Sequence, residues 1–156
     1  MMVYLSLKYL HVLGAAILFG TGVGIAFFML MAHIRRETAL IAGIARIVVK
    51  ADFVFTATAV VLQPLTGIFL ADAAGYSLRE GWLSASLILY SVVGLFWVPV
   101  VWMQIRMRDI AATAVANNAK LPDEYYRLFR FWFAFGIPAF AAVMGIIWLM
   151  VSRPDF

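Results

Sequence analysis

The sequence predicts an all-α protein, a bundle of four membrane-spanning helices in a single domain with both termini outside the cell. Hydrophobic residues make up 65% of the 156 positions and the mean hydropathy is +0.98, whereas about half of a soluble domain is apolar. Long uncharged stretches alternate with short charged connections, and the basic residues gather at alternate connections. These features indicate that the lipid bilayer is the solvent of this chain.

The first predicted span covers about residues 4–33. Between Tyr9 and Ala32 it contains no Asp, Glu, Lys or Arg, and at about 1.5 Å per residue it can cross the roughly 30 Å hydrocarbon core of a bilayer. The apolar core of a secretory signal is shorter, about 7 to 15 residues, so we expect this helix to be retained. It carries both histidines of the chain, His11 near one end and His33 near the other.

Three further spans follow at about residues 44–71, 82–105 and 129–151. Polar connections at 35–37, 72–81 and 117–122 separate the spans, and Asp123 and Glu124 suit a helix start. Lipid admits only helices or closed barrels, and segments this long are helices. Prolines at positions 64, 99 and 138 are expected to kink these helices or to free carbonyl groups locally.

Basic residues near the membrane predict the orientation. One side holds Lys8, Arg79 and Arg153, and the other holds Arg35, Arg36, Arg46, Lys50, Arg106, Arg108, Lys120, Arg127 and Arg130. The positive-inside rule then places the second set in the cytoplasm and both termini outside. Because orientation accounts for the net charge of +4, we expect no nucleic-acid partner.

One layer of polar groups is predicted in the outer half of the membrane. His11, Gln63, Tyr90 and Met144 lie at similar depths on the four helices, and Gly14 lies on the same helical face as His11. One interpretation is a cofactor pocket in which His11 binds iron, since neutral imidazole is a common iron ligand. The other is that His11 hydrogen-bonds a neighbouring helix while glycines allow close packing.

His33 cannot share one haem with His11 in the same chain. The histidines are 22 positions apart in the sequence, which corresponds to about 33 Å of helix. A second axial ligand would therefore be Met144, Gln63, Tyr90, water or a group from a second copy, which makes a homodimer plausible.

A charged layer is predicted near the inner surface, formed by His33, Lys50, Asp52, Arg106, Arg127 and Arg130. An unpaired carboxylate inside the membrane is costly, so we expect Asp52 to pair with one of the three arginines. The layer is then a structural ion-pair lock. The alternative is a site for a lipid headgroup or for the propionates of a tetrapyrrole.

Several segments resemble an uncharacterised bacterial family of four-span inner-membrane proteins. They are LKYLHVLG at 7–14, FGTG at 19–22, ADFVFT at 51–56, QPLTG at 63–67 and PVVWMQIRMRD at 99–109. More distantly, the chain is similar to HemJ-type protoporphyrinogen oxidases and to the copper-resistance protein D superfamily. Where HemJ-type sequences place His and Lys after the Trp-Leu of the third helix, this chain has Ser84, Ala85 and Ser86.

The resemblance implies a multi-pass protein of the bacterial cytoplasmic membrane that binds haem b, with His11 matching the histidine implicated as the ligand. Redox work with quinone or with another membrane partner would follow, which would make the protein a haem-dependent oxidoreductase. Two alternatives stay open, a non-haem accessory or structural subunit and a metal-handling protein. Scattered methionines and two histidines at opposite depths offer little to a soft metal ion.

Overall fold

The computed structural model describes residues 1–155 and contains four long helices. They are α1 at Met2–Arg35, α2 at Thr38–Ala73, α3 at Gly81–Ala116 and α4 at Asp123–Ser152. Each is long and apolar enough to span a bilayer, which confirms the predicted class of an all-α membrane bundle.

The helices extend beyond the predicted spans at the end of the bundle away from the termini. α2 and α3 each have 36 residues, which corresponds to about 54 Å against a hydrocarbon core of roughly 30 Å. The alanine-rich segment after residue 109 continues α3 as far as Ala116, as its sequence predicts. α4 begins at Asp123 with two acidic residues in its first turn, where their negative charge interacts favourably with the positive end of the helix dipole.

The connections are short, so consecutive helices run antiparallel. Arg36 closes α1 in the left-handed conformation with φ 58°, and Gly75 takes φ 76° in the turn between α2 and α3. Glycine adopts this conformation without a steric penalty, which lets the chain reverse within a few residues. We call the end of the bundle that holds both termini and this turn the termini end, and the other the loop end.

The bundle is packed tightly at the loop end and loosely at the termini end. The main buried cluster runs through the loop-end halves of all four helices and contains Met29, Ile41, Met107 and Tyr125 among its fully buried side chains. At the termini end the buried cluster is limited to Ala71, Trp82 and Leu83.

Two helix pairs account for this difference. α3 packs along α4, and α1 packs along the whole of α2. The pairs join through the first half of α2, which packs on α3, whereas α1 and α4 make little contact. Space therefore opens between the pairs in the middle of the bundle and towards the termini end.

Candidate functional sites

His11 is held by a hydrogen bond from α1 to α2. Its Nδ1 atom lies 3.0 Å from the hydroxyl oxygen of Thr66. That hydroxyl donates its own hydrogen to backbone carbonyls, at 2.8 Å to Leu62 and 3.2 Å to Gln63. Thr66 therefore accepts a hydrogen bond from Nδ1–H, and Nε2 keeps its lone pair. A hydrogen bond of this kind orients the metal-binding histidines of many proteins.

Two glycines let α1 approach α2 beside His11. A Cβ at position 67 would lie 3.0 Å from Cε1 of the His11 ring, so the ring rests directly on the backbone of α2. A Cβ at position 14 would collide with the amide of Gln63, which donates a 2.9 Å hydrogen bond to the His11 carbonyl. Both glycines thus provide room for the polar contacts that join the two helices.

A small groove lies between the helix pairs at the termini end, and we call it the termini groove. It is lined by His11, Gln63, Gly67, Ser86, Tyr90 and Met150, with Lys8 and Arg153 among the charged residues. Arg153 donates a 2.8 Å hydrogen bond to the Tyr76 hydroxyl and lies over the rings of Tyr76 and Trp82. The volume of the groove is about 140 Å³, whereas pockets for cofactors have about 300 to 1,000 Å³.

A haem finds only part of what it needs in the termini groove. Nε2 of His11 suits an iron ligand, and Lys8 and Arg153 suit propionates. Gln63 and Tyr90 are engaged in hydrogen bonds to the backbone, and the groove is too small for the macrocycle. A haem would require the two helix pairs to move apart.

A larger cavity lies midway along the bundle, and we call it the central cavity. Its volume is about 550 Å³, within the range of ligand pockets. All four helices line it, with Phe19 and Gly22 from α1, Asp52, Thr56 and Val60 from α2, Trp97, Val100 and Gln104 from α3, and Trp132, Gly136 and Phe140 from α4. Its walls are almost entirely apolar, and none of the described lining residues is Lys, Arg or His.

Five residues that line the central cavity carry a buried side-chain atom without a hydrogen-bond partner. These atoms are Oδ2 of Asp52, Oγ1 of Thr56, Nε1 of Trp97, Oε1 of Gln104 and Nε1 of Trp132. Asp52, Gln104 and Trp132 are 4%, 3% and 4% exposed. Buried polar groups are normally hydrogen-bonded, because leaving one unpaired costs about 1–3 kcal/mol.

An irregular turn of α2 carries two of these groups. Residues Asp52–Thr56 form a π-helical turn, in which the Ala57 amide donates to the Asp52 carbonyl five residues earlier. The Asp52 carboxyl lies beside the Thr56 hydroxyl and the Trp97 N–H, which point towards it as donors but do not reach full hydrogen-bond geometry. Such turns are rare and occur frequently at functional sites.

The central cavity has a side opening between α1 and α4. Phe19 of α1 and Phe140 of α4 stack across this gap with ring centroids 5.5 Å apart. Other lining side chains beside it face outward as well, since Phe27 is 54% and Ile137 is 60% exposed. This side of the cavity is therefore covered by side chains that face the bilayer and not by packed helices.

Comparison with known proteins places this architecture in a family. Residues 5–154 match the family described as "Predicted integral membrane protein (DUF2269)". The chain belongs to this family. The predicted membership of a family of integral membrane proteins is thereby confirmed for nearly the whole chain. Searches among curated proteins and among solved structures gave no match.

The outer layer predicted from the sequence is assembled in part in this DUF2269 protein. His11, Gln63 and Tyr90 line the termini groove together, and Gly14 lies against Gln63. Met144 is 45% exposed and lies outside the lining of both cavities. Among residues 1–155, no three His, Asp or Glu side chains come together in an arrangement that could hold a metal ion.

The predicted ion pair of Asp52 was wrong. Within the described chain Asp52 has no ionic partner, and Arg106 instead pairs with Glu124 at 2.9 Å. Lys50, Arg127 and Arg130 are exposed on the surface of the bundle. The error has a physical reason, because the π-helical turn and the side chains around it place the carboxyl in the central cavity.

His33 has a packing role at the loop end. Its ring stacks on Phe129 with centroids 3.6 Å apart and planes 4° apart, and it also contacts Tyr125 and Tyr126. These contacts join the end of α1 to the beginning of α4.

Sequence reasoning missed Thr56, Trp97 and Trp132 as lining residues of the central cavity. One signal was available for Trp97, because it lies sixteen positions after Gly81, in the interior of α3. Tryptophan is typical of the membrane interface, where its N–H reaches water. An indole in the membrane interior has to find a partner in the protein or in a ligand.

Proposed function

We propose that this membrane protein binds a lipid-soluble molecule in the central cavity. One observation carries the proposal: five residues from three helices that line an apolar cavity of about 550 Å³ each hold a buried polar atom without a hydrogen-bond partner. A bound molecule that hydrogen-bonds these atoms would offset their desolvation, since satisfied polar groups fix the orientation of a ligand while apolar walls supply affinity.

The opening between α1 and α4 supports entry from the bilayer. Phe19 and Phe140 are the side chains stacked across the gap, so a ligand that enters here has to turn these rings aside. The tight packing at the loop end supports a fixed site, because Met107 and Ala111 are completely buried there. The proposed site thus combines a rigid base with a movable entrance.

A matched pair of glycines tests the proposal. A Cβ at Gly22 or at Gly20 meets no protein atom within 4 Å, but only Gly22 lines the central cavity. We expect Gly22→Leu to fill the cavity and Gly20→Leu to extend into lipid. The test is mass spectrometry of the lipid-soluble molecules that copurify with each protein in detergent.

We expect one defined molecule to copurify with the wild type and with Gly20→Leu. Its amount should fall at least about tenfold in Gly22→Leu, which corresponds to a loss of about 1.4 kcal/mol of binding free energy. Identical lipid contents in the three proteins would overturn it. Monodisperse elution of each variant in gel filtration establishes that the comparison is between folded proteins.

A second proposal, haem b binding through His11, is favoured by one observation. The hydrogen bond from Nδ1 to Thr66 leaves Nε2 free in the termini groove. The helix pairs would first have to move apart, because the groove is too small for the macrocycle. His11 would then hold the iron, which supplies redox chemistry, and Lys8 and Arg153 would hold the propionates.

The visible absorption spectrum of the purified protein tests this second proposal, oxidised and reduced with dithionite. We expect a Soret band in the spectrum of the wild type and none in that of His11→Ala. A colourless protein, after haem is supplied during expression, would contradict it.

A further inference from the structure

We infer that the molecule in the central cavity is a quinone or its quinol, with the ring near Asp52, Trp97 and Trp132 and the apolar tail towards the bilayer. This inference rests on the proposed function and names the class of ligand for the same site. It follows from the charge, the hydrogen-bonding groups and the walls of the cavity.

The charge of the cavity excludes anionic head groups. No Lys, Arg or His is found among the described residues that line it, and Asp52 contributes a carboxyl. A fatty acid or a phospholipid would bring a carboxylate or a phosphate into an apolar space without a counter-charge, which is strongly unfavourable. The head group of the ligand is therefore not an anion.

The unpaired polar atoms require a head group with several oxygens. The indole N–H groups of Trp97 and Trp132 can only donate, whereas the Gln104 carbonyl oxygen can only accept. A single hydroxyl, as in a long-chain alcohol or a sterol, has one hydrogen and one oxygen, fewer than these donors and acceptors on three helices can use. A quinone carries two carbonyl acceptors on opposite edges of its ring, and a quinol carries two hydroxyls that both donate and accept.

Asp52 and Thr56 can hydrogen-bond both the quinone and the quinol. A hydroxyl donates or accepts, and a carboxyl accepts from a quinol or, when it carries a proton, donates to a quinone. The π-helical turn keeps these two side chains together beside Trp97. Both forms of the ligand therefore find partners in the same place.

The walls of the cavity suit a flat ring with an apolar tail. Aromatic side chains, among them Trp97, Trp132 and Phe133, supply surfaces for stacking. Gly22 of α1 and Gly136 of α4 have no protein atom within 4 Å of an added Cβ, so each leaves space beside the ring. The apolar space continues to the gap between α1 and α4, where a tail leaves for the bilayer.

Tryptophan fluorescence of the whole protein in quinone-free nanodiscs tests the inference, because quinones quench nearby indoles. The probe is decylubiquinone, and the competitor is decanol, which has the same tail and a single hydroxyl. We expect a saturable quenching component in the wild type, weakened about tenfold in Gly22→Leu and in Gln104→Leu.

Single tryptophan variants locate the quenching. Trp97→Phe and Trp132→Phe should each remove part of the saturable component. Trp148→Phe should leave it unchanged, since Trp148 is 69% exposed and lies outside the lining of the cavity. Gly20→Leu serves as the control for Gly22→Leu.

The outcomes separate the ligand class from the site. If decanol competes as well as an equal concentration of a second, non-quenching quinol, the quinone assignment is overturned and binding in the cavity stands. The assignment is also overturned if quenching in the wild type is linear in quinone while another molecule copurifies in a Gly22-dependent way. Saturable quenching that is identical in Gly22→Leu and Gly20→Leu overturns both proposals.

Discussion

At the scale of single residues, a polar contact compensates for a proline in the membrane. Pro64 lies inside α2 and has no N–H, so it cannot bond the carbonyl of Val60, four residues earlier. The hydroxyl of Tyr90 on α3 donates to this carbonyl. Tyr90 therefore joins the helix pairs between the two cavities and replaces a missing helical hydrogen bond.

We predict that Tyr90→Phe destabilises the protein by about 1 kcal/mol, because it leaves the freed Val60 carbonyl unpaired in an apolar setting. In a Pro64→Ala background the same substitution should cost close to nothing, since an alanine at that position supplies the backbone N–H. The free energy of unfolding is measured in mixed micelles for the wild type, the two single variants and the double variant. Equal costs in both backgrounds would show that Tyr90 acts through packing alone.

At the scale of elements, α2 both packs on its neighbouring helices and, through its π-helical turn, contributes Asp52 and Thr56 to the lining of the central cavity. On either side of Asp52–Thr56 the helix is regular, with its first half packed on α3 and both halves packed on α1. The turn itself leaves Asp52 and Thr56 buried, with side-chain oxygens that lack hydrogen-bond partners in the cavity wall. The extra residue of the π-helical turn is thus located at the candidate site.

Deletion of Val54, which is 51% exposed in the turn, should convert the turn into regular α-helix. We expect thermal stability equal to or above that of the wild type, because regular hydrogen bonds replace the wide turn, together with loss of the copurifying molecule. Val54→Ala is the control and should retain the molecule. A deletion variant that unfolds, or one that keeps the molecule, would contradict this assignment.

The sequence predicted the helices but not the irregular turn at Asp52–Thr56. Hydropathy and charge predicted the four helices and the polar connections, because the bilayer imposes both. The shared depth of His11, Gln63 and Tyr90 predicted their common groove. The position of Asp52 could not be predicted, since its direction depends on an irregular turn and on the indole of Trp97 from α3. The surface positions of Arg127 and Arg130 likewise depend on how α4 rotates against α3.

At the scale of the whole molecule, the asymmetric packing and the distribution of charge make a definite prediction of topology. The loop end carries most of the basic residues, so the positive-inside rule places it in the cytoplasm. The loosely packed termini end, with the His11 groove, would then face outward. This topology predicts that the termini groove faces the outer side and that the tightly packed loop end faces the cytoplasm.

The chain contains no cysteine, which allows a clean test of this topology. Ala74→Cys at the termini end and Ala119→Cys at the loop end replace exposed alanines. A membrane-impermeant maleimide applied to intact spheroplasts should label the first variant and reach the second only after lysis. The reverse pattern would show that the termini face the cytoplasm.

The most direct measurement of the central claim is photo-crosslinking from inside the central cavity. A diazirine amino acid replaces Val100, which is 9% exposed and lines the cavity, or Val98 on the same helix, which is 64% exposed and faces lipid. After illumination of cells, the account predicts a covalent adduct of one neutral, lipid-soluble molecule at position 100 and adducts of ordinary phospholipids at position 98. The same phospholipid adducts at both positions would contradict it.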